Sequence, residues 1–291
     1  MTRSRLPIIV GTDGSPGATA AVDWAAHEAA LRRLPLVVLT VIEPNWVAVT
    51  PGVPAVPTPT VGGRPGYVDD AVTRVTRAWP ELVVTAQHVA GHPASAMLTA
   101  SGEASMVVVG ARGRSRVAEV LLGSVSRHVS AQAHCPAVVV HGTADRSTGP
   151  IAVGVDGSKA SYAALRAAAD EASCRGSRLL MVHAWQDLNP TGYGIYLPPP
   201  DLARELQAGA EQLAAQMVDE IGADYPDLEV DMRVIQAHPA SALLQAAQTA
   251  QLVVVGAHGR GHFLGMRQGS VTAALVHGAA CPVMVVPPPT G

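Results

Sequence analysis

Short runs of consecutive apolar residues alternate along the chain with longer segments in which apolar residues recur every three or four positions. The continuous runs are typical of strands buried on both faces, and the periodic segments are typical of helices with one buried face. Such an alternation predicts right-handed crossovers and a mostly parallel, doubly wound α/β sheet. In the first half, the predicted strands are 8–10, 36–42, 82–89, 106–109 and 137–141, and the predicted helices are 17–33, 67–79, 94–101 and about 120–133.

The second half of the chain repeats the first. The segment IIVGTDGS at 8–15 recurs as IAVGVDGS at 151–158, and further matches continue nearly to the end of each half. The boundary falls in HGTADRSTGP at 141–150, where Gly, Ser, Thr and Pro replace the apolar pattern. Duplication of a whole domain explains these matches, so we predict two tandem α/β domains, 1–143 and 150–291.

The least regular segment of each half follows the second predicted strand. It is rich in proline at 44–65, and its counterpart at 186–200 ends in three consecutive prolines. The composition favours a polyproline-like connector. A lid over a bound ligand is the alternative that the sequence leaves open.

A glycine-spaced turn follows the fourth predicted strand of each half, where MVVVGARGR at 106–114 recurs as LVVVGAHGR at 252–260. Ligands of open α/β sheets bind at the carboxyl ends of the strands. Glycines let the chain turn sharply and bring backbone N–H groups close to an anion, and the N-terminus of the next helix favours phosphate. The spacing is identical in the two halves: Gly110-x2-Gly113-x9-Gly123-Ser124 and Gly256-x2-Gly259-x9-Gly269-Ser270.

Basic side chains inside both turns could neutralise phosphate charge. Neither the G-x-G-x-x-G dinucleotide fingerprint nor a Walker A loop is present, yet two copies of a three-part spacing predict a phosphate-binding cradle rather than an ordinary turn. The loops differ, ARGRSR against AHGRGH, so the equivalence of the two sites stays open. The basic residues are Arg112, Arg114 and Arg116 in the first turn and His258 and Arg260 in the second.

The motif GxDGS after the first strand of each half is the second contributor. Its strand should neighbour the fourth strand at the topological switch point, which places Gly11 and Asp13 across a crevice from the cradle, and Gly154 and Asp156 likewise. Each Asp could accept hydrogen bonds from a base or ribose, or help to hold a phosphate-bound Mg²⁺. The alternative is that Asp-Gly-Ser only caps the helix that follows.

Together, GxDGS, the G-x2-G-x9-G-S spacing and the HCP or ACP before the last strand resemble the universal stress protein family, in its tandem-domain, ATP-binding branch. The resemblance covers nearly the whole chain twice. It implies a Rossmann-like, five-stranded parallel sheet in each domain, related to the adenine-nucleotide α-hydrolases, with ATP in the crevice. It also implies that the last strands, near 137–140 and 283–286, pair domains within the chain or two chains in a homodimer.

The resemblance further implies which residues contact the nucleotide at each of two sites. Base and ribose contacts fall on Gly11, Asp13 and Val41 in the first domain and on Gly154, Asp156 and Ala184 in the second. Phosphate contacts fall on Gly110, Gly113, Gly123, Ser124 and Val125, and on Gly256, Gly259, Gly269, Ser270 and Val271.

The function expected from these features is regulatory binding of ATP, because the cradle is suited to binding rather than to turnover. No lysine grips the phosphates and no residue is identifiable that would activate a nucleophile, so we expect at most slow hydrolysis. The resemblance to the family implies a role in the stress response. ATP is expected together with Mg²⁺. The alternatives are an interaction module that binds AMP or cyclic AMP, and an adenylating-type enzyme, whose SGGxDS or HIGH signature is absent.

Composition narrows the remaining classes. The formal charge of −3 is spread along the chain, without the basic stripe of a nucleic-acid binder. No apolar segment reaches the ~18 residues of a membrane helix, and three scattered cysteines argue against a disulfide framework, so we expect a cytoplasmic protein. The eleven histidines form no metal-ligand set, His92-Pro93 is expected to begin a helix, and Cys135 and Cys281 are expected to be buried and inert.

Overall fold

The computed structural model describes residues 6–43, 45–47, 56–58, 66–113, 122–142, 148–185, 200–259 and 268–289. The chain divides into two compact units, Met1–Ala144 and Asp145–Gly291. Each unit is an α/β domain with its own parallel sheet.

The first unit contains a five-stranded parallel sheet in the order β7-β6-β1-β2-β5. The order reverses between β1 and β6, which makes their carboxyl ends the topological switch point. The elements are β1 Ile8–Gly11, α1 Pro16–Arg32, β2 Leu36–Ile42, β3 Asn45–Val47, β4 Val56–Thr58, α2 Gly66–Ala78, β5 Val84–Ala90, α3 Pro93–Ser101, β6 Met106–Gly110, α4 Ser124–Gln132 and β7 Ala137–Val140.

The second unit has the equivalent sheet, in the order β12-β11-β8-β9-β10, again fully parallel. Its switch point lies between β8 and β11. The elements are β8 Ile151–Gly154, α5 Lys159–Arg175, β9 Leu179–Trp185, α6 Pro200–Asp224, β10 Val230–Gln236, α7 Pro239–Ala246, β11 Leu252–Gly256, α8 Ser270–Gly278 and β12 Val283–Val286.

The core of each unit lies between the central strands and the small side chains of the helices. The strands β1 and β6 are almost entirely buried, as their apolar runs predict. The first helix of each unit packs on these strands through alanines, and Ala21, Ala25 and Ala29 of α1 are fully buried. Small side chains let the helix backbone come close to the sheet.

The structure differs from the prediction in the start of the fourth helix, in the proline-rich stretch and in the strand predicted at 82–89, which spans Val84–Ala90. The helix expected at about 120–133 begins at Ser124, because Gly123 has the extended conformation of an N-cap residue, with φ −73° and ψ 158°. The proline-rich stretch contains the short strands β3 and β4, which pair antiparallel and which a plain connector does not include. Most of that stretch, and residues 186–199 of its counterpart, lie outside the described residues.

Among the helices that the structure describes, none is both long and apolar enough to cross a membrane. His92 precedes Pro93 at the first position of α3, as expected, and His238 stands in the same relation to Pro239 of α7. Cys135 and Cys281 are both buried, also as expected.

Candidate functional site

A cavity of about 270 Å³ opens at the carboxyl ends of β1, β2 and β6, at the switch point of the first unit. Every described residue that the sequence assigns to the first site lines this cavity. They are Gly11, Asp13, Val41, Gly110, Arg112, Gly113, Gly123, Ser124 and Val125. Arg114 and Arg116 lie outside the described residues.

The equivalent cavity of the second unit measures about 450 Å³. Arg260, and His262 beside it, lie outside the described residues. The remaining predicted residues all line the cavity, together with His258: Gly154, Asp156, Ala184, Gly256, Gly259, Gly269, Ser270 and Val271.

One wall of each cavity was missed by the sequence analysis. It is formed by the first two turns of the third helix, with Pro93 and Met97 in the first unit and Pro239 and Leu243 in the second. The recurrence of HPASAML at 92–98 as HPASALL at 238–244 is a signal for this wall, whereas the expectation from the sequence is only that His-Pro begins a helix.

In the Asp-Gly-Ser loop, the serine caps the following helix and the aspartate side chain lies at the cavity. The Asp13 Oδ1 atom accepts a hydrogen bond of 2.9 Å from the Ser15 amide, while Ser15 Oγ caps helix α1 by accepting from the Ala18 amide at 3.2 Å. Gly14 supplies the positive φ of +78° that this turn requires. The cap is therefore Ser15 rather than Asp13.

The second unit builds the same loop from the same residue types. Ser158 donates from its amide to Asp156 Oδ1 at 2.9 Å, and its hydroxyl caps helix α5. Gly157 has φ +77°. In both units one carboxylate oxygen thus holds the loop, and the other, Oδ2, faces the glycine-rich turn.

The absence of a side chain at Gly113 and Gly259 makes room for that second oxygen. A Cβ built on Gly113 would lie 2.8 Å from Asp13 Oδ2, and one on Gly259 would lie 2.5 Å from Asp156 Oδ2. Real Cβ atoms do not approach an oxygen so closely. The Asp and the glycine are therefore one structural unit, and the turn is a cradle that a single methyl group would fill.

Gly110 and Gly256 have a different role from the sharp turn that we expected. A Cβ on Gly110 would lie 2.5 Å from the carbonyl oxygen of Gly17, and one on Gly256 would lie 2.9 Å from that of Ala160. Neither Gly110 nor Gly256 is among the described glycines that have a positive φ. These two glycines let the first helix of each unit pack closely against the end of the central strand.

The N-termini of α4 and α8 complete the two sites. Gly123 and Gly269 are their N-caps, and neither helix has a side chain that caps its first turn. The amide of Gly123 is held by the Ala111 carbonyl at 2.8 Å, and that of Gly269 by the Ala257 carbonyl at 2.9 Å. The amides of the next three residues point away from any intrahelical acceptor and carry the positive end of the helix dipole, so each cavity offers a site for an anion.

The lining side chains set what the sites can do chemically. Each described lining contains one carboxylate, Asp13 or Asp156, and one basic side chain, Arg112 or His258. Within the described ranges, no group of three or more His, Cys, Asp or Glu side chains could hold a metal ion without help. The arrangement is suited to binding an anionic ligand through backbone amides.

Two tandem Rossmann-like α/β domains, each with a glycine-rich crevice at its switch point, define the class of protein. The model of the universal stress protein family matches residues 5–141 and again 148–287. The chain therefore belongs to the universal stress protein family, in a two-domain form.

Relatives of the same length support this assignment. The chain is 39% identical over 294 residues to the universal stress protein Rv2005c of Mycobacterium tuberculosis, with 97% of each chain covered. It is 39% identical over 292 residues to a universal stress protein of Mycolicibacterium smegmatis, again with 97% of each covered. A universal stress protein from Archaeoglobus fulgidus, at 19% identity, matches the fold with a TM-score of 0.64 over 99% of this chain and 100% of its own.

Proposed function

We propose that each unit binds one adenine nucleotide, and that ATP is the principal ligand. The nucleotide acts as a regulatory ligand in the stress response, where it biases a conformation or an interface, with at most slow hydrolysis. The residues that would hold it are those that line the two cavities, with Arg114 and Arg260 added from the part of the turns outside the described residues.

The single observation that supports this proposal is the pairing of a carboxylate with a side-chain-free cradle, found twice. Asp13 faces Gly113 and Asp156 faces Gly259, and each pair stands beside an uncapped helix N-terminus. The helix amides would bind phosphate. The carboxylate would accept hydrogen bonds from the ribose hydroxyls, or it would bind a Mg²⁺ ion together with the phosphates. Mg²⁺ sites commonly combine one carboxylate with phosphate oxygens and water.

The residues of the two glycine-rich turns favour binding of ATP over its hydrolysis. The turns between Gly110 and Ser124, and between Gly256 and Ser270, contain no lysine to grip the transferred phosphoryl group. Most of the binding free energy would come from backbone amides, which bind a nucleotide without activating a nucleophile.

Titration calorimetry with ATP, ADP, AMP and cyclic AMP tests the proposal. We expect two sites per chain for ATP with Mg²⁺, one site in Gly113→Ala or in Gly259→Ala, and none in the double variant. The new methyl group would meet the Asp carboxylate, with Oδ2 as its nearest atom, so we expect the Asp to be displaced while the fold is kept.

Matched controls are Gly66→Ala and Gly222→Ala, since a Cβ on either glycine meets nothing within 4 Å. Both should bind two nucleotides per chain. A wild-type protein that binds none of the four nucleotides would overturn the proposal. Mass spectrometry of the purified protein, searching for co-purified nucleotide, is an independent check.

The alternatives give different titrations. An interaction module for AMP or cyclic AMP would bind those ligands more tightly than ATP. An adenylating-type enzyme would release pyrophosphate from ATP in the presence of a carboxylate substrate, which a pyrophosphate assay detects. We favour ATP because the helix N-terminus and the glycine-rich turn both provide backbone N–H donors, and a ligand with several phosphates can use both groups of donors.

We also propose that the protein acts in the cytoplasm and that its last strands mediate assembly. The strands β7 and β12 are each the final strand of a five-stranded sheet. Strand edges carry backbone groups that can pair with another strand, either within the chain or in a homodimer. Sedimentation equilibrium distinguishes these two forms by molar mass.

A further inference from the structure

The two cavities occupy equivalent places but differ in size. The first has a volume of about 270 Å³ and the second of about 450 Å³. Small-molecule sites in proteins usually measure ~300–1,000 Å³. The second cavity thus lies within the range of an ordinary ligand site, and the first lies just below it.

The two linings differ in side-chain size at the end of the second strand of each sheet. There the first unit has Leu39 and Val41 on β2, where the second has Val182 and Ala184 on β9. Each replacement removes carbon atoms from the wall of the second cavity. Leu39 and Val182 are both 2% exposed, so neither side chain can swing into solvent to equalise the two spaces.

The opposite wall does not account for the difference. Met97 fills this position in the first unit, and its sulfur would lie 3.0 Å from a Cβ on Gly11. Leu243 fills it in the second unit, 2.6 Å from a Cβ on Gly154. Two side chains of similar volume contact the first strand in the same way, so of these two walls only the one on β9 has smaller side chains than its counterpart.

The basic side chain in each lining favours the first site instead. The first cavity is lined by Arg112, whose guanidinium is always charged and can bind phosphate through two hydrogen bonds, and the second by the smaller imidazole of His258. Arg112 is exposed, and exposed ion pairs change an equilibrium by at most about fivefold. One methylene in an apolar pocket changes it by ~10–200-fold. The apolar wall therefore dominates.

We propose that the second unit holds the high-affinity nucleotide site and that the residue at the end of the second strand, Ala184 against Val41, sets the difference. This inference rests on the proposed function, in which that position contacts the base or ribose. With Ala184 at this position the base would have room to enter the second cavity fully. The two additional methyl groups of Val41 would occupy part of that space in the first cavity. The second site fills first as the nucleotide concentration rises.

Single-site proteins test the inference by calorimetry with ATP and Mg²⁺. Gly113→Ala leaves only the second site, which should bind about tenfold more tightly than the first site left by Gly259→Ala. In the Gly259→Ala background, Val41→Ala should tighten binding by about tenfold. In the Gly113→Ala background, Ala184→Val should weaken it by a similar factor.

The matched controls make the same changes away from the cavities. Val83→Ala removes the same carbon atoms from an exposed position, and Ala223→Val adds them on the exposed side of α6. Neither should change the dissociation constant. Equal affinities in the two single-site proteins, or a Val41→Ala variant that binds no better, would overturn the inference while leaving the proposed function intact.

Hydrogen exchange on the unmodified chain gives a second test that needs no variant. At half a molar equivalent of ATP, peptides that cover α8 should be protected before peptides that cover α4. Simultaneous protection, or protection of α4 first, contradicts the inference. No protection in either helix at saturating ATP contradicts the proposed function instead.

Discussion

The imidazole of His88 is a buried polar group without a hydrogen-bond partner among the residues that the structure describes. It lies on β5 opposite Thr40, whose hydroxyl is paired with the Tyr67 hydroxyl at 2.9 Å, and both of its ring nitrogens are buried. A buried group that loses its water without gaining a partner costs about 1–3 kcal/mol. The second unit avoids this cost, because Val234 occupies the equivalent position.

We therefore expect His88→Val to raise the free energy of unfolding of the first unit by about 1–2 kcal/mol. The control is His183→Val in the second unit, where the imidazole Nδ1 donates to the Val155 carbonyl at 2.8 Å. That change should lower stability by about 1 kcal/mol. Urea denaturation followed by hydrogen exchange separates the two units, and a destabilised His88→Val protein would contradict the prediction.

At the scale of single residues, sequence motifs located the site better than they explained it. The repeat predicted that Asp13 and the glycine turn would meet, and Asp13 Oδ2 indeed faces Gly113. The role of Gly110 could not be predicted, because its reason is a backbone oxygen of a distant helix. Contacts of that kind depend on how closely α1 packs on β6, which no local pattern encodes.

The ends of the first helices are the clearest contrast at the scale of elements. The C-cap residue that follows helix α1 is Arg33, with the left-handed φ of +52°, and the one that follows helix α5 is Gly176, with φ +58°. In both, the residue after this cap donates to a carbonyl five residues earlier, at 2.9 Å. Left-handed backbone is unstrained for glycine and costs an L-residue roughly 1–2 kcal/mol.

Replacing Arg33 by glycine should therefore stabilise the first unit by about 1 kcal/mol. The reverse change, Gly176→Arg, should destabilise the second unit by a similar amount. A Cβ on Gly176 meets nothing within 4 Å, so its effect would come from the backbone alone. Thermal unfolding measures both, and a loss of stability in Arg33→Gly would show that the arginine side chain outweighs the backbone strain.

Elements with strong periodicity were predictable, and elements in biased composition were not. The strand β2 has the predicted bounds of 36–42, because Pro35 and Glu43 bound a segment that is apolar except for Thr40 and rich in β-branched residues. The pair β3 and β4 was missed, since the prolines around it mask any alternation. The start of α4 was placed too early, because apolar residues before Gly123 continue the helical pattern up to the cap.

At the scale of the whole molecule, the duplication makes each unit an internal control for the other. A nucleotide that binds only the folded state stabilises the unit that holds it by RT ln(1 + [L]/Kd), about 2.7 kcal/mol at a hundredfold excess over Kd. Each unit has its own buried core and its own cavity, so this gain belongs to the unit where binding occurs.

We expect that saturating ATP with Mg²⁺ slows hydrogen exchange in β6 and β11 of the wild-type chain by about a hundredfold. In Gly259→Ala the protection of β11 should disappear while that of β6 remains, and Gly113→Ala should give the reverse. Gly222→Ala should behave as the wild type does. If either single variant abolished protection in both units, the two nucleotides would bind as one coupled pair, and the description of each unit as a separate nucleotide-binding module would be wrong.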